Sequence, residues 1–176
     1  RRTMLETDPP EHTRIRKLVS RNFTRGAIEK WESTARALIA ENMDEALLDH
    51  RVDFVETVAR KFPIQMISKL LGVPDQDAEQ LFHWADAVVY HNDPDFSELL
   101  YDKEDTEPYR LLPFRSPSSL KVFEYAQKLA NERAKRPEAD VVSILAASEE
   151  LTPSEFQTFF LLLVIAGNET TRHSLS

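Results

Sequence analysis

The strongest constraint on the fold is a continuous apolar segment, residues 156–166, that directly follows a helix-start signal. The signal is Thr152-Pro153-Ser154-Glu155. It combines a threonine that can cap a helix, a proline suited to the first helical position, and a glutamate three residues after the cap. A helix that is apolar on every side is typical of a domain interior. The sequence therefore predicts that the last helix runs through the middle of a domain.

Helical periodicity extends over most of the chain, which predicts a mainly α protein. Residues 91–117 are the exception: they are rich in proline and acidic residues and have weak periodicity, so we predict a long loop of the kind that often forms a substrate lid. The predicted helices cover residues 9–23, 25–49, 59–71, 75–89, 118–136 and 139–148, and a last one begins at residue 151.

Composition excludes several classes of protein. The 176 residues contain no cysteine, which leaves no disulfide, thiolate metal site or cysteine nucleophile among them. A net charge of -8 disfavours nucleic-acid binding, and three isolated glycines cannot form a phosphate-binding loop. The 156–166 run is too short to span a bilayer, and no signal peptide is evident, so we expect a cytoplasmic protein without a membrane span.

Polar residues interrupt the last helix where its burial should be deepest. The segment reads Ala166-Gly167-Asn168-Glu169-Thr170-Thr171. A glycine inside a helix costs about 1 kcal/mol relative to alanine, and a buried carboxylate costs more. The hydroxyl of Thr170 can bond to the carbonyl of Ala166, four residues back, and that of Thr171 to Gly167.

Two interpretations of this segment remain open on physical grounds. The missing side chain at Gly167 can let a flat cofactor or small ligand approach the backbone, with a hydroxyl and a carboxylate nearby to relay protons. Alternatively, Gly167 lies at a helix crossing and the helix emerges into solvent at Glu169. The spacing alone does not distinguish them.

A second candidate site lies near the other end of the chain. His12 and Arg16 are four residues apart, so they share one face of a helix, where both can donate to an anion such as a propionate or a phosphate. A solvated basic helix face is the simpler interpretation of such a pair.

Both segments resemble signatures of one family. Ala-Gly-x-Glu-Thr-Thr after an apolar helix resembles the oxygen-activation motif in the central (I) helix of cytochromes P-450. Asp-Pro-Pro-Glu-His-Thr-Arg-x-Arg-Lys-Leu-Val, residues 8–19, is similar to the C-helix signature of that family. The two motifs occur in the family's order, and a Leu-Gly-Val-Pro helix end lies between them, so the resemblance covers essentially the whole chain.

The resemblance implies a haem b monooxygenase that inserts one oxygen atom of O₂ into a hydrophobic substrate. It implies that His12 and Arg16 bind the haem propionates, and that Ala166 and Gly167 flank the oxygen groove. Glu169 would then feed protons and Thr170 would stabilise the oxygen species bound to the iron. We expect substrate to lie beside four residues of the last helix: Leu162, Ile165, Ala166 and Thr170. Two further segments, Leu81-Phe82-His83-Trp84 and Asn92-Asp93-Pro94-Asp95-Phe96, are similar to segments of bacterial enzymes that oxidise steroid and branched-lipid side chains. This resemblance suggests a steroid, terpenoid or lipid substrate.

The resemblance also implies a redox partner. The first helix is the one strongly basic segment of an acidic chain, which favours docking of an acidic protein. In the family this region faces ferredoxin-type donors, whose electrons come ultimately from NAD(P)H. The residues that we expect to contribute are Arg14, Arg16, Lys17 and Arg21. A solvated basic face is the plain alternative.

These 176 residues do not contain all the segments of a cytochrome P-450. We expect it to be a partial single domain, residues 1–176, that spans the C to I helices without the N-terminal β region and without the loop that carries the iron-ligating cysteine. Such a fragment is not expected to be active alone. The rival hypothesis is a non-catalytic helical interaction module derived from the same scaffold. The histidines show no metal-binding spacing, so no metal site is predicted within these residues.

Overall fold

The computed structural model describes residues 3–48, 51–90, 93, 112–113 and 116–176. These residues form eight α-helices and contain no β-strand. Two 3₁₀ turns, Met4–Glu6 and Arg21–Phe23, and a π-helical turn, Val55–Ala59, accompany the α-helices. The helices are α1 (Glu11–Ser20), α2 (Arg25–Glu29), α3 (Glu32–Ala46), α4 (Lys61–Leu71), α5 (Asp75–Val89), α6 (Ser118–Lys135), α7 (Val141–Ala146) and α8 (Pro153–Leu175).

Helix α8 begins where the sequence predicts. The hydroxyl of Thr152 accepts a hydrogen bond from the Glu155 N–H at 3.2 Å, and the Thr152 N–H donates to the Glu155 carboxylate at 2.8 Å. These two bonds complete the predicted capping box, and Pro153 occupies the first helical position. The helix then continues without interruption for 23 residues.

The apolar part of α8 forms the centre of the core, as predicted. Helix α8 packs against α4, α5, α6 and α7. Its fully buried side chains interlock with apolar side chains from each of these neighbours. The most deeply buried members of this core are Leu71, Leu81, Phe82, Val88, Val122, Ala126, Val142, Phe160, Leu161 and Val164.

Helix α1 begins later than predicted. The sequence places proline at the first helical position after Asp8, but the structure starts the helix at Glu11, and Pro9 and Pro10 form a turn. The helical conformation is unfavourable for a residue that precedes a proline, so Pro10 prevents Pro9 from starting the helix. The buried side of α1 consists of Ile15 and Val19.

The predicted helix over residues 25–49 is divided into α2 and α3. The Trp31 N–H bonds to the Ile28 carbonyl, three residues back, at 2.9 Å, and the chain then restarts as α3 at Glu32. Ile28 is consequently exposed, although its spacing predicts burial. The buried side of α3 contains Asn42, whose amide donates to Gln65 of α4 at 2.8 Å.

The end of α4 follows the prediction. Gly72 has the left-handed conformation, with φ of 80°, which glycine adopts without steric cost, and it ends the helix. The next helix, α5, runs from Asp75 to Val89, as the sequence predicts.

An arginine ties three of these elements together. Arg133 of α6 donates to the carbonyl of Gly72 at 2.6 Å and to the carboxylate of Asp140 at 2.7 Å. Asp140 in turn caps α7 by accepting from the Ser143 N–H at 2.6 Å. The ends of α4 and α6 and the start of α7 therefore share one polar junction, which we call the Arg133 junction.

Most of the predicted 91–117 loop lies outside the described residues, so its role as a lid stays a prediction. Within the part of the chain that the structure describes, no helix has the length and apolar character needed to cross a bilayer.

Candidate functional site

The polar interruption of α8 is accommodated within a continuous helix. The Thr170 hydroxyl donates to the Ala166 carbonyl at 2.7 Å, which confirms the predicted bond. The similar bond from Thr171 to Gly167 is not formed. One of the two threonines is thus turned back onto the helix backbone.

Gly167 lies at a crossing between α8 and α4. A Cβ atom added to it would lie 2.8 Å from Cγ1 and Cδ1 of Ile67, closer than side chains tolerate. The space beside this glycine is therefore filled by α4, as in the helix-crossing interpretation. The second half of that interpretation, emergence into solvent at Glu169, is wrong, because the Glu169 side chain is only 14% exposed.

A neighbouring face of α8 is left open. Ala166 and Thr170, four residues apart, are exposed, and Leu162 and Ile165 are half-buried. At about 100° per residue, Leu162, Ala166 and Thr170 lie on one side of the helix. The predicted substrate-binding residues thus form an uncovered strip on the helix that is otherwise the centre of the core.

Glu169 stands at the edge of this strip and is bound to its neighbours. Its Oε2 accepts a hydrogen bond from the Tyr90 hydroxyl of α5 at 2.9 Å. The Arg172 guanidinium lies 3.3 Å from Oε1 and also donates to the Tyr90 oxygen at 3.2 Å. On the exposed side, Nδ1 of His173 is 3.5 Å from Oε2. The carboxylate is therefore held between α5 and the following turn of α8.

Next to it lies a second buried carboxyl group. Asp86 of α5 is 5% exposed, and Asn168, 1% exposed, points its Nδ2 at Asp86 Oδ1 across 3.5 Å. Among the described residues, the Oδ1 atom of Asn168 has no hydrogen-bond partner. Asp86, Tyr90, Asn168, Glu169 and Arg172 together form what we call the α5–α8 polar cluster.

Burial dominates the electrostatics of this cluster. It raises the pKa of Asp86, the nearby Glu169 carboxylate raises it further, and the cations Arg172 and Arg60 oppose the shift. Burial also raises the pKa of the Tyr90 hydroxyl, with added contributions from its hydrogen bond to Glu169 and from the charge of that carboxylate. Tyr90 is therefore a neutral donor at physiological pH.

Sequence reasoning found Glu169 but missed the rest of this cluster. Arg172, three residues after Glu169, was detectable as a neighbour on the same helix face. Asp86 and Tyr90 are four residues apart and interrupt the otherwise apolar end of α5, which marks them as unusual. Only the packing of α5 against α8 shows that they meet Glu169.

The predicted anion-binding pair lies on α1. His12 is half-buried and Arg16 is exposed, and neither side chain forms a hydrogen bond or ion pair within the described residues. Both side chains are therefore available, and their role toward propionates stays a prediction.

Arg14, predicted as part of a docking surface, has an internal partner. Its guanidinium donates to the Glu155 carboxylate and the Glu150 carbonyl, which attaches α1 to the start of α8. Burial alone would raise the pKa of Glu155, but hydrogen bonds from Thr152 and Arg14 outweigh it and lower that pKa. Arg16 and Lys17 are exposed, whereas the side chain of Arg21 lies outside the described part of the chain.

The two candidate sites are attached to different parts of α8. Arg14 of α1 contacts Glu155 in the first turn, and Ala166 lies eleven residues further, about 16 Å along the helix axis. Helix α8 is therefore the element that relates the two sites. Among the residues that the structure describes, no three His, Asp or Glu side chains are grouped so as to hold a metal ion.

The chain is similar in sequence to two kinds of characterised monooxygenase or hydroxylase. The chain is 37% identical over 180 residues to the steroid C26-monooxygenase of Mycolicibacterium smegmatis, a match that covers all of this chain and 39% of that protein. It is 31% identical over 190 residues to the methyl-branched lipid omega-hydroxylase of Mycobacterium tuberculosis, covering 99% of this chain and 40% of that protein. The chain thus spans about two fifths of the length of the relatives it matches. No family model matches the chain.

Solved structures share its fold. A Mycobacterium marinum cytochrome P450 in complex with pseudoionone superposes with a TM-score of 0.78 at 32% identity, over 97% of this chain and 40% of that one. A myxobacterial cytochrome P450 in complex with myristic acid gives 0.78 at 28% identity, over 97% and 40%. Fold and site together define the central helical part of a haem-protein architecture. The chain belongs to the cytochrome P-450 family.

Proposed function

We propose that the protein containing these residues is a haem-dependent monooxygenase that inserts one oxygen atom of O₂ into a hydrophobic substrate. The open strip of α8, formed by Leu162, Ile165, Ala166 and Thr170, is the observation that carries this proposal. An apolar strip with one hydroxyl, on the helix at the centre of the core, needs a cover that the described residues do not supply.

The residues present fit a haem. Its flat apolar ring would lie against Ala166 and Thr170, where the helix is exposed. His12 and Arg16 carry unpaired donors on one face of α1 and would bind the propionates. Gly167 would contribute only through its neighbours in the helix, since Ile67 fills the space beside its Cα. None of these 176 residues is a cysteine, so a thiolate ligand for the iron would be supplied by another segment of the protein.

When bound, the haem supplies the binding and activation of O₂. Thr170 would hold a hydroxyl proton at Oγ1, which its bond to the Ala166 carbonyl orients. Glu169, one residue earlier and at the edge of the strip, would pass protons from the α5–α8 polar cluster toward that hydroxyl. Leu162 and Ile165 would exclude water and contact substrate.

The names of the relatives suggest the substrate class. They are a steroid C26-monooxygenase and a methyl-branched lipid omega-hydroxylase. We propose that this protein hydroxylates a side chain of a steroid, terpenoid or lipid in the cytoplasm. The exclusively apolar side chains beside Thr170 on the strip support a substrate without charge at the reacting end.

Electrons would come from a protein donor that docks on α1. Lys17 is exposed and free to meet an acidic, ferredoxin-type partner that is reduced ultimately by NAD(P)H, and the exposed Arg16 lies beside it on α1. Arg14 would act indirectly, because its ion pair with Glu155 fixes the position of α1.

Expression of the complete reading frame tests the proposal. We expect the reduced protein with carbon monoxide to show the Soret band of a thiolate-ligated haem, and a sterol or branched lipid to perturb the ferric spectrum. Absence of haem from the purified, folded protein would contradict the proposal and favour a non-catalytic helical module.

A further inference from the structure

Among the contacts of Glu169, one is distinctly shorter than the others. The Tyr90 hydroxyl donates to Oε2 at 2.9 Å, while the two distances from Arg172 are 3.3 and 3.5 Å and that from His173 is 3.5 Å. The Tyr90 distance is within the normal range for a hydrogen bond from a hydroxyl, whereas the Arg172 and His173 distances are longer than a normal N–H···O bond. Tyr90 therefore sets where the Glu169 carboxylate lies.

The alternative positions of this carboxylate are restricted by charge. On the α5 side, the buried Asp86 carboxyl repels it, as the mutual effect on the pKa of Asp86 indicates. On the exposed side lie His173 and the open strip. The positive groups that face the cluster are Arg172, Arg60 and, from the exposed side of α5, His83. Without the Tyr90 bond, Glu169 would have only longer contacts to hold it at the edge of the strip.

The position of Glu169 around the axis of α8 places it between the strip and the residues that face α5. Glu169 is about 60° around the axis from Ala166 and about 100° from Thr170, while Asn168 and Arg172 point toward α5. Its carboxylate is thus the group that connects the polar cluster with the strip. A small rotation away from this position would separate it from one or the other.

We propose that Tyr90 is a positioning residue that holds the Glu169 carboxylate between the α5–α8 polar cluster and the Thr170 face of α8. This inference rests on the proposed monooxygenase function, because it gives Glu169 the task of passing protons to Thr170. The role assigned to Tyr90 is indirect. It acts through the carboxylate that it orients.

The chain offers a matched control. Tyr125 also donates its hydroxyl to a carboxylate of α5, Asp77, at 3.0 Å, and burial raises its pKa as well. Asp77 is in the first turn of α5, far from the Tyr90 end of the same helix. Tyr90→Phe and Tyr125→Phe thus remove the same atom from the same kind of bond.

In the full-length enzyme, Tyr90→Phe is expected to lower kcat about tenfold, the loss corresponding to a hydrogen bond to a charged group. KM should be unchanged, peroxide release should rise, and the solvent deuterium isotope effect on kcat should increase. Tyr125→Phe should leave all four at wild-type values. A Tyr90→Phe enzyme with wild-type kcat and isotope effect, or the same changes in Tyr125→Phe, would overturn the positioning role.

A second measurement does not depend on turnover. In protein labelled with ¹³C at the tyrosine ring, NMR separates the titration of Tyr90 from those of the other tyrosines, and Glu169→Gln should lower the Tyr90 pKa because it removes the acceptor charge. An unchanged titration would show that the contact is absent and would refute the inference, even if Tyr90→Phe fails to fold. A folded protein without haem would instead defeat the proposed function, and this titration would still decide on the contact.

Discussion

Thr170 is the residue at which local structure and the proposed chemistry coincide. Its hydroxyl is exposed on the open strip yet bonded to the Ala166 carbonyl, so its orientation is fixed before any ligand arrives. The sequence predicted this bond because the two residues are four apart in a helix. The neighbouring Thr171 has the same spacing to Gly167 but lies on a different side of the helix. The spacing alone could not show which of the two threonines forms the bond.

Replacing Thr170 tests whether the hydroxyl is used. Thr170→Ala in the full-length enzyme is expected to lower the fraction of electrons recovered in product about tenfold, equivalent to ~1.4 kcal/mol. Haem content should not change. Thr170→Ser, which keeps the hydroxyl, should retain most of the coupling, and full coupling in Thr170→Ala would contradict the assigned role.

Gly167 is a case in which the sequence showed the anomaly but not its cause. The sequence left two causes open, the approach of a ligand and a helix crossing, and the structure places Ile67 of α4 beside the bare Cα. The identity of the neighbour depends on how two helices cross, and no local pattern encodes that.

Gly167→Ala should therefore destabilise the protein although alanine favours helices. Overpacking costs about 1–3 kcal/mol and the gain in helix propensity is about 1 kcal/mol, so we expect a net loss of about 1 kcal/mol in the free energy of unfolding. In an Ile67→Ala background the same change should be neutral or stabilising. Chemical denaturation of the four variants measures this, and a stable single Gly167→Ala variant would refute the crossing.

At the scale of elements, the boundaries fixed by local chemistry were predictable and the others were not. The start of α8 at Thr152 and the end of α4 at Gly72 depend on caps that are visible in the sequence. The late start of α1 depends on two successive prolines. Proline favours the first helical position, but Pro10 disfavours the helical conformation of Pro9, and this second effect prevails. The break between α2 and α3 contains neither glycine nor proline and gave no signal.

The cap of α8 is expected to make stability depend on pH. The pKa of Glu155 is lowered in the folded state, so its contribution is complete above the ordinary pKa of a glutamate and is lost as the pH falls through the lowered value. Thr152→Ala should reduce the free energy of unfolding by about 1 kcal/mol at neutral pH and by less in acid.

The matched control for this cap is Thr24, which caps the short, exposed helix α2. Thr24→Ala should have a smaller effect, without the acid dependence. Thermal unfolding between pH 3 and pH 7 distinguishes the two, and a Thr152→Ala effect that does not change with pH would contradict the role given to Glu155.

For the whole molecule, the sequence was sufficient to place the chain in its family and its fold, because the two motifs and the apolar helix are local. The α5–α8 polar cluster could not be foreseen, since Tyr90 and Glu169 are 79 positions apart and meet only through packing. The same applies to Arg14, whose partner Glu155 is 141 residues away.

The distribution of charge over the molecule leads to a prediction about the electron donor. Lys17→Glu should slow reduction by an acidic donor about tenfold at low ionic strength, with a smaller effect at high salt. The control Lys135→Glu, an exposed lysine at the end of α6, should have little effect. Stopped-flow reduction at several salt concentrations provides the measurement, and equal effects of both variants would exclude α1 as the docking surface.

The Arg133 junction has a consequence for how the domain opens. Arg133, Gly72 and Asp140 join the ends of three helices through bonds of 2.6–2.7 Å, and a side chain at Gly72 would overlap the Asp140 carboxylate. None of these helix ends can fray without releasing the other two. In amide hydrogen exchange they should consequently behave as one cooperative unit, with a common opening rate that Arg133→Lys would split into separate ones.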